Sequence, residues 1–359
     1  FKEASEQIKQ VFMKAEKLIA LNSPIMQIAV YSSLLVVYWF GAKFVVAGSM
    51  TPGTLTSFIM YMLQILNSLM MFSMIFVMIV ISEASCERVA EVLTEKSTLT
   101  NPENPVTTIE NGEIEFKNVS FKYYPEAQEA DLANISFKIE SGQTIGIIGG
   151  TGSGKSSLIQ LIPRLYDTTQ GEVYVAGRNV KEYDLVTLRD QIAMVLQKNT
   201  LFSGTILENL RWGDKDASLA EVKRMASLAQ ADQFVSTFPE EYNTILDQGG
   251  NNVSGGQKQR LTIARALLKK PKILILDDST SAVDTKTDAK IRQAFKEEIP
   301  NTTKIIVAQR VSSIQDADKI IVLDEGKING IGTHEELLAN NQIYQEVYES
   351  QVKGGRISE

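Results

Sequence analysis

The sequence predicts two membrane-spanning α-helices followed by a wound α/β domain. Three observations carry that fold class: two long uncharged apolar runs, a rise in charge from Glu83, and later short β-branched strands alternating with helical patterns. Between Lys17 and Lys43 lie 25 residues without a charge, and between Lys43 and Glu83 lie 39. About 20 helical residues cross a bilayer core, so each run suffices. Buried helices of soluble proteins rarely need such length without charge. The breakers of GSMTPG, 48–53, join the runs in a tight hairpin, with spans over 18–42 and 54–82. Lys2, Lys9, Lys14 and Lys17 precede the first span and Lys43 alone lies near the hairpin tip, so the charge bias puts both chain ends in the cytoplasm. Ile8, Val11 and Phe12 have helical spacing, which extends the first helix into the cytoplasm. The chain opens on Phe1 without an initiator methionine and is expected to begin inside a larger protein.

The second uncharged run carries Met50, Met60, Met62, Met70, Met71, Met74 and Met78, whose thioethers suit lipid-facing and interhelix packing, with a share in an adaptable substrate path as the lesser reading. Gln64 and Asn67 are polar at that depth and are expected to face protein. After this membrane part, 1–93, the two prolines and turn formers of 94–111 read as a connector, 112–350 as the α/β domain and 351–359 as a tail. EIEFKNVSFKYY and ANISFKIESGQTIGII alternate as strands; ILILD, KIIVA and KIIVLDEG are later short apolar strands.

The 359 residues and 44% hydrophobic content leave room for a sizeable core. A net charge of −7 argues against a nucleic-acid partner, which needs a basic face. Cys86 is the single cysteine, so no internal disulfide forms, and it reads as a packing residue. His334, the single histidine, reads as a helix-start surface residue.

GGTGSGKSS, Gly149 to Ser157, follows the strand TIGII and opens the helix SSLIQLI, satisfying GxxxxGK[ST] in the context its mechanism needs. Gly149, Gly150, Thr151, Gly152, Ser153 and Gly154 turn backbone N–H groups around phosphate oxygens, Lys155 meets the β and γ phosphates, and Ser156 coordinates magnesium, with Ser157 beside it. Asp277 ends the buried strand ILIL and reaches the same magnesium, directly or through water; a helix cap is its bland alternative. Val253 to Leu268, VSGGQKQRLTIARALL, sets paired glycines before an amphipathic helix, presenting N–H groups and the Ser254 hydroxyl to an anion. A plain helix N-cap is the alternative there.

With these motifs the chain resembles the ATP-binding-cassette (ABC) transporter family along its whole length: the last two helices of an exporter membrane domain, then a nucleotide-binding domain. The resemblance implies a mixed-sheet core with an antiparallel β subdomain and a helical signature subdomain, and ATP and Mg2+ as ligands. It makes Gly149 to Ser156 the Walker A loop, Asp277 the Walker B aspartate and Gln197 the Q-loop glutamine that touches magnesium. Tyr123 corresponds to the adenine-stacking aromatic, with Tyr124 the lesser choice; Ser254, Gly255, Gly256 and Gln257 correspond to the signature, with Val253 replacing the usual leucine, and Asp284 in SAVD to the D-loop aspartate. It further implies export driven by two half-units that sandwich ATP between the Walker A loop of one and the signature of the other.

Two positions depart from the pattern. Asp278 stands where the family has a catalytic glutamate, and Gln309 where it has a switch histidine. Shortening the base by one methylene withdraws its carboxylate by roughly a carbon–carbon bond length; loss of such a base typically lowers rates about 100- to 10,000-fold. Glutamine still donates a hydrogen bond but carries neither proton nor positive charge. Neutral drift explains each change singly; together they converge on one hydrolytic step. The expected protein is therefore the degenerate-site half of a heterodimeric exporter of hydrophobic or amphiphilic compounds, similar to bacterial heterodimeric multidrug exporters. Its partner would supply the intact glutamate and histidine. A homodimeric exporter with weak ATPase, a nucleotide-gated channel or regulatory membrane protein, and a soluble ABC ATPase serving DNA or the ribosome are the rival readings; the spans and acidic charge weigh against the last.

Overall fold

The computed structural model describes residues 2–279 and 283–355, which leaves Ser281 and Ala282 of SAVD and residues 356–359 of the expected tail outside the described residues. The chain divides between Ser97 and Thr98 into two compact units.

The first unit is a helical hairpin of α1 (Lys2–Val46) and α2 (Pro52–Thr94). Thr51 caps α2 by accepting from the Thr54 N–H at 3.2 Å, and Pro52 occupies the first turn, where its missing N–H leaves no broken bond. The helices approach at buried Gly41, where the Leu55 side chain fills the space a Cβ would take. Both helices are long and apolar enough to cross a membrane, and α2 has no buried residue. Trp39, Phe40, Phe58, Phe72 and Phe76 are all exposed, an apolar surface that suits lipid rather than water. Gln64 and Asn67, expected to face protein, are exposed on α2, because the helices of this hairpin meet elsewhere. Cys86 is likewise exposed rather than packed, on the part of α2 past the apolar run.

The second unit contains β1 (Ile114–Phe121), β2 (Leu132–Ile139), β3 (Thr144–Ile148), α3 (Lys155–Leu161), β4 (Gln170–Val175), β5 (Arg178–Asn179), α4 (Leu185–Asp190) and β6 (Ile192–Val195). Then come β7 (Gly204–Thr205), α5 (Ile206–Arg211), α6 (Leu219–Leu228), α7 (Asp232–Val235), β8 (Ile245–Leu246), α8 (Gly255–Leu268), β9 (Ile273–Asp277) and α9 (Thr285–Glu298). The unit closes with β10 (Thr303–Val307), β11 (Lys319–Asp324), β12 (Lys327–Gly332), α10 (His334–Asn340) and α11 (Gln342–Gly355). The main sheet runs β12-β11-β3-β10-β9-β6, parallel except for β12, and β2-β1-β4-β5 form an antiparallel sheet.

Strands β9 and β10 are buried at every residue, as a parallel sheet covered on both faces requires. The period-two pleat then sorts their side chains into two cores. Ile273 and Ile275 join Ile114, Phe116 and Leu158 on one face; Leu274 and Leu276 join Leu261, Leu267 and Phe295 on the other. The antiparallel sheet and α3 thus cover one face, and α5, α6, α8 and α9 the other. Both faces being closed, chemistry is left to the edge where the parallel strands end.

The connector expected over 94–111 is shorter in the fold. Arg164 Nη1 donates to the Thr100 carbonyl at 3.2 Å, the Leu185 N–H donates to Asn101 Oδ1 at 2.9 Å, and Val106 bridges to Tyr183. Turn formers that read as a free linker find their partners in the second unit, which begins at Thr98.

Candidate functional site

Four strands of the main sheet deliver the candidate residues at one edge. Strand β3 leads through Gly149–Gly154 into α3, β9 ends in Asp277 and hands on to Asp278, β10 leads to Gln309, and β6 to Gln197. Since β10, β9 and β6 are adjacent and parallel, their exits lie side by side.

In the loop, Gly152 (φ +82°) and Gly154 (φ +92°) hold left-handed backbone that a Cβ would strain. At Gly154 a Cβ would also lie 2.8 Å from the Leu132 side chain and 2.9 Å from the Asp131 carbonyl. Lys155 Nζ turns back into the loop, donating to the Gly149 and Gly150 carbonyls at 2.9 and 2.6 Å and to Ser153 Oγ at 3.3 Å. Burial holds its ammonium below the ordinary value, against the opposing pull of Asp277 and Asp278. Thr151, between these glycines, is exposed, and Ser153 is buried.

Ser156 Oγ donates to Asp277 Oδ2 at 3.1 Å, joining residues 121 apart in sequence. Asp277 is 9% exposed, and burial pushes its carboxyl up while the Ser156 bond and Lys155 oppose the shift. A buried carboxylate and a hydroxyl at the foot of a phosphate-type loop fit a hard cation that draws its remaining ligands from phosphate and water. Among the described residues there is no cluster of three or more His, Cys, Asp or Glu able to hold a metal by itself.

Asp278 adopts left-handed backbone (φ +48°), a region in which aspartate is enriched among non-glycine residues. Its Oδ2 accepts from Gln309 Nε2 at 2.8 Å and from Gln197 Nε2 at 3.2 Å. Burial, then the adjacent Asp277 charge, push the Asp278 carboxyl up, while the Gln197 bond and the Arg310 and Lys155 charges pull the other way. The Gln197 amide, expected at magnesium, thus engages Asp278 in this state.

Tyr123 lies against the first turns of α3, its hydroxyl 3.2 Å from both Ser157 Oγ and Gln160 Oε1, and it packs edge-on to Phe121 and Tyr166. Tyr124 is 76% exposed, so Tyr123 is the aromatic beside the loop. At the start of α8, Ser254 and Gln257 form a capping box: the Gln257 N–H donates to Ser254 Oγ at 3.3 Å and the Ser254 N–H to Gln257 Oε1 at 2.8 Å. Gly255 is exposed and Gly256 partly so, and Val253 packs into the helical core, where one methylene less than leucine is accommodated. No hydrogen bond among the described residues links 254–257 to the loop 149–157. Asp284 caps α9 by accepting from the Thr287 N–H at 3.0 Å, and those Thr287 bonds hold its carboxyl below the usual range.

Sequence reasoning passed over Gln351. Its side chain reaches from α11 to the backbone on both sides of Arg310, and nothing local in YESQVK marks a residue that acts across forty positions.

Comparison with known proteins decides what the edge belongs to. The family profile for the ABC transporter matches residues 132–281, and that for the ABC transporter transmembrane region matches residues 1–82. The chain belongs to the ABC transporter family. It is 40% identical over 351 residues to an uncharacterized ABC transporter ATP-binding protein of Bacillus subtilis, YfiB, covering 98% of this chain and 61% of that protein. It is 39% identical over 315 residues to YgaD of the same organism, provisionally named a multidrug export ATP-binding/permease protein, covering 88% of this chain and 54% of that one. The solved structure of a bacterial Atm1-family ABC exporter with ATP bound superposes with a TM-score of 0.85 at 29% identity, over 94% of this chain and 60% of that chain. This ABC transporter chain therefore has the exporter fold, with a transmembrane region and a cytoplasmic ATP-binding domain. It spans about 60% of the length of the first curated relatives it matches.

Proposed function

We propose that this chain is the ATP-holding half of a two-subunit exporter, coupling ATP binding and hydrolysis to efflux of hydrophobic or amphiphilic compounds. Its own Walker site binds ATP with Mg2+ and turns it over slowly, while Ser254 to Gln257 complete a working site on a partner that carries the glutamate and histidine this chain lacks. The name of YgaD supports the export of varied compounds.

The observation that carries the reading is the Asp278 carboxylate, one methylene short and already engaged by the Gln309 and Gln197 amides at 2.8 and 3.2 Å. The two amides compete with a water for Oδ2, and Gln309 commits one of its two amide N–H donors there. Lys155 and the loop N–H groups are suited to the triphosphate, Ser156 and Asp277 to Mg2+, and Tyr123 to the base. When bound, Mg2+ supplies charge neutralisation at the phosphates. The loop, Ser156 and Asp277 retain what binding needs, and the two changed residues both belong to hydrolysis. In the partner-dominated site this chain's part is the Ser254 hydroxyl, which can donate while its oxygen caps α8, together with the N–H groups at the start of that helix.

Mass spectrometry of the membrane complex purified through this chain tests the proposal. The expected copurifying subunit is a second ABC exporter chain with Glu at the base position and His at the switch position; recovery of this chain paired only with itself, and hydrolysing ATP, would overturn it.

A further inference from the structure

The segment Ala308–Val311, which carries the switch position, is anchored on both sides of Gln309, with Ala308 and Val311 buried in the core. The Ala308 N–H donates to the Ile147 carbonyl of β3 at 3.1 Å, fixing the end of β10. Beyond it, Gln351 on α11 makes a two-point clamp: its Nε2 donates to the Gln309 carbonyl at 2.7 Å and its Oε1 accepts the Val311 N–H at 2.9 Å. One primary amide thus pairs with a backbone carbonyl and an N–H two residues apart, using both ends of its dipole. The Gln309 side chain then continues the connection to Asp278.

Helix α11 is itself firmly seated. Tyr344, with no exposed surface, plugs it into the helical core, and the Tyr344 hydroxyl lies 2.7 Å from His334 Nδ1 on α10. The Tyr344 N–H donates to Asn341 Oδ1 at 2.9 Å, and Val347 and Tyr348 pack against the same core. This seated helix reaches the Gln309 backbone through the exposed Gln351 side chain, whose removal disturbs no core packing.

We propose that Gln351 is a positioning residue for Gln309, so that retention of ATP at this chain's own site depends on the seating of α11. The inference rests on the functional reading above, in which that site holds nucleotide. Gln351 acts by fixing the backbone from which Gln309 reaches across. With the clamp gone, Gln309 samples other orientations, the arrangement with Asp278 and Gln197 is populated less, and the second amide N–H of Gln309 is no longer held ready for a γ-phosphate.

The experiment uses the purified full-length complex, loaded with mant-ATP and Mg2+ and chased with unlabelled ATP. Wild type is expected to release a slow-phase fraction, recovered as mant-ATP. Gln351→Ala is expected to speed that phase about fivefold, the size of one net hydrogen bond. Gln351→Glu keeps an acceptor for the Val311 N–H but sets a carboxylate against the Gln309 carbonyl, and should match Gln351→Ala. The decisive readout is coupling: Gln351→Ala with Gln309→Ala should release no faster than Gln309→Ala alone. An unchanged slow phase in Gln351→Ala, or additive effects in the double variant, overturns the proposal while leaving the functional reading intact. A wild-type complex without a slow phase, or one that releases mant-ADP from it, overturns the functional reading and the positioning role with it.

Discussion

The loop Gly149–Gly154 and the segment Val253–Gln257 are both glycine-rich and both lead into a helix, yet they use glycine for different reasons. In the first, Gly152 and Gly154 hold left-handed backbone and the side chains turn inward: Lys155 binds the loop's own carbonyls and Ser156 binds Asp277. In the second, Gly255 and Gly256 have ordinary helical φ, and Ser254 and Gln257 cap the helix they begin. The first is a closed cradle with its own counter-charges; the second is a bare helix end with two glycines that keep its surface low. A cradle acts on what its own chain binds, whereas a bare helix end suits something brought by another.

Four experiments would break or sharpen that contrast. The largest effect is expected from Asp278→Glu with Gln309→His, which restores base and switch together and should raise hydrolysis at this chain's own site roughly 100- to 10,000-fold. It is read as ATPase of a complex whose other site is silenced, and an unchanged rate would sink the impaired-site reading. Next, Ser254→Ala should lower total ATPase of the complex about 100-fold by removing a donor to developing phosphate charge; the matching Asp278→Asn should stay within about twofold of wild type. Equal losses from the two would abolish the asymmetry between the regions. Third, Gly152→Ala should destabilise by about 1 kcal/mol and weaken mant-ATP binding, because alanine is strained at φ +82°. Gly256→Ala, at an ordinary helical φ, should leave the thermal midpoint equal or higher.

The smallest effect concerns pH. Asp277 and Asp278 have carboxyls raised above 3.8 by burial, so the folded chain without nucleotide binds protons more tightly than the unfolded one. Stability of that state should therefore rise as pH falls through the raised values and be lost again as pH climbs past them. Mg2+-dependent mant-ATP binding should move oppositely, failing at milder acidity than an ordinary carboxylate would dictate. Asp277→Asn should flatten both profiles, as followed by thermal unfolding and fluorescence; an unchanged profile would show that other groups govern them.

The fold class was readable because its signals are local. Uncharged length gives the spans, and continuous burial leaves unbroken apolar runs such as ILILD and TKIIV. The candidate loop Gly149–Ser156 was readable as a unit because its glycines and lysine are contiguous. What connects Asp278 was not: Gln197, Gln309 and Gln351 come from separate elements, and only the strand order β10-β9-β6 makes the first two neighbours. Ser254 shows a different limit. The serine that would meet a phosphate and the serine that caps a helix are the same atoms in the same place, so sequence could name both roles without dividing them. In the connector expected over 94–111, Asn101 and Val106 look like turn and filler until their partners Leu185 and Tyr183 arrive from far along the chain.

The left-handed backbone at Asp278 gives this position a conformational preference of its own, separate from the reach of its carboxylate. Aspartate sits at φ +48° more readily than glutamate, with a difference of a fraction of 1 kcal/mol up to roughly 1 kcal/mol. The dihedral that eases the shorter side chain would tax the longer one, so Asp278→Glu begins with a small backbone cost. Asp278→Asn and Asp278→Gly should therefore fold at least as readily as Asp278→Glu, a preference set by a single dihedral angle and independent of any chemistry at the carboxylate.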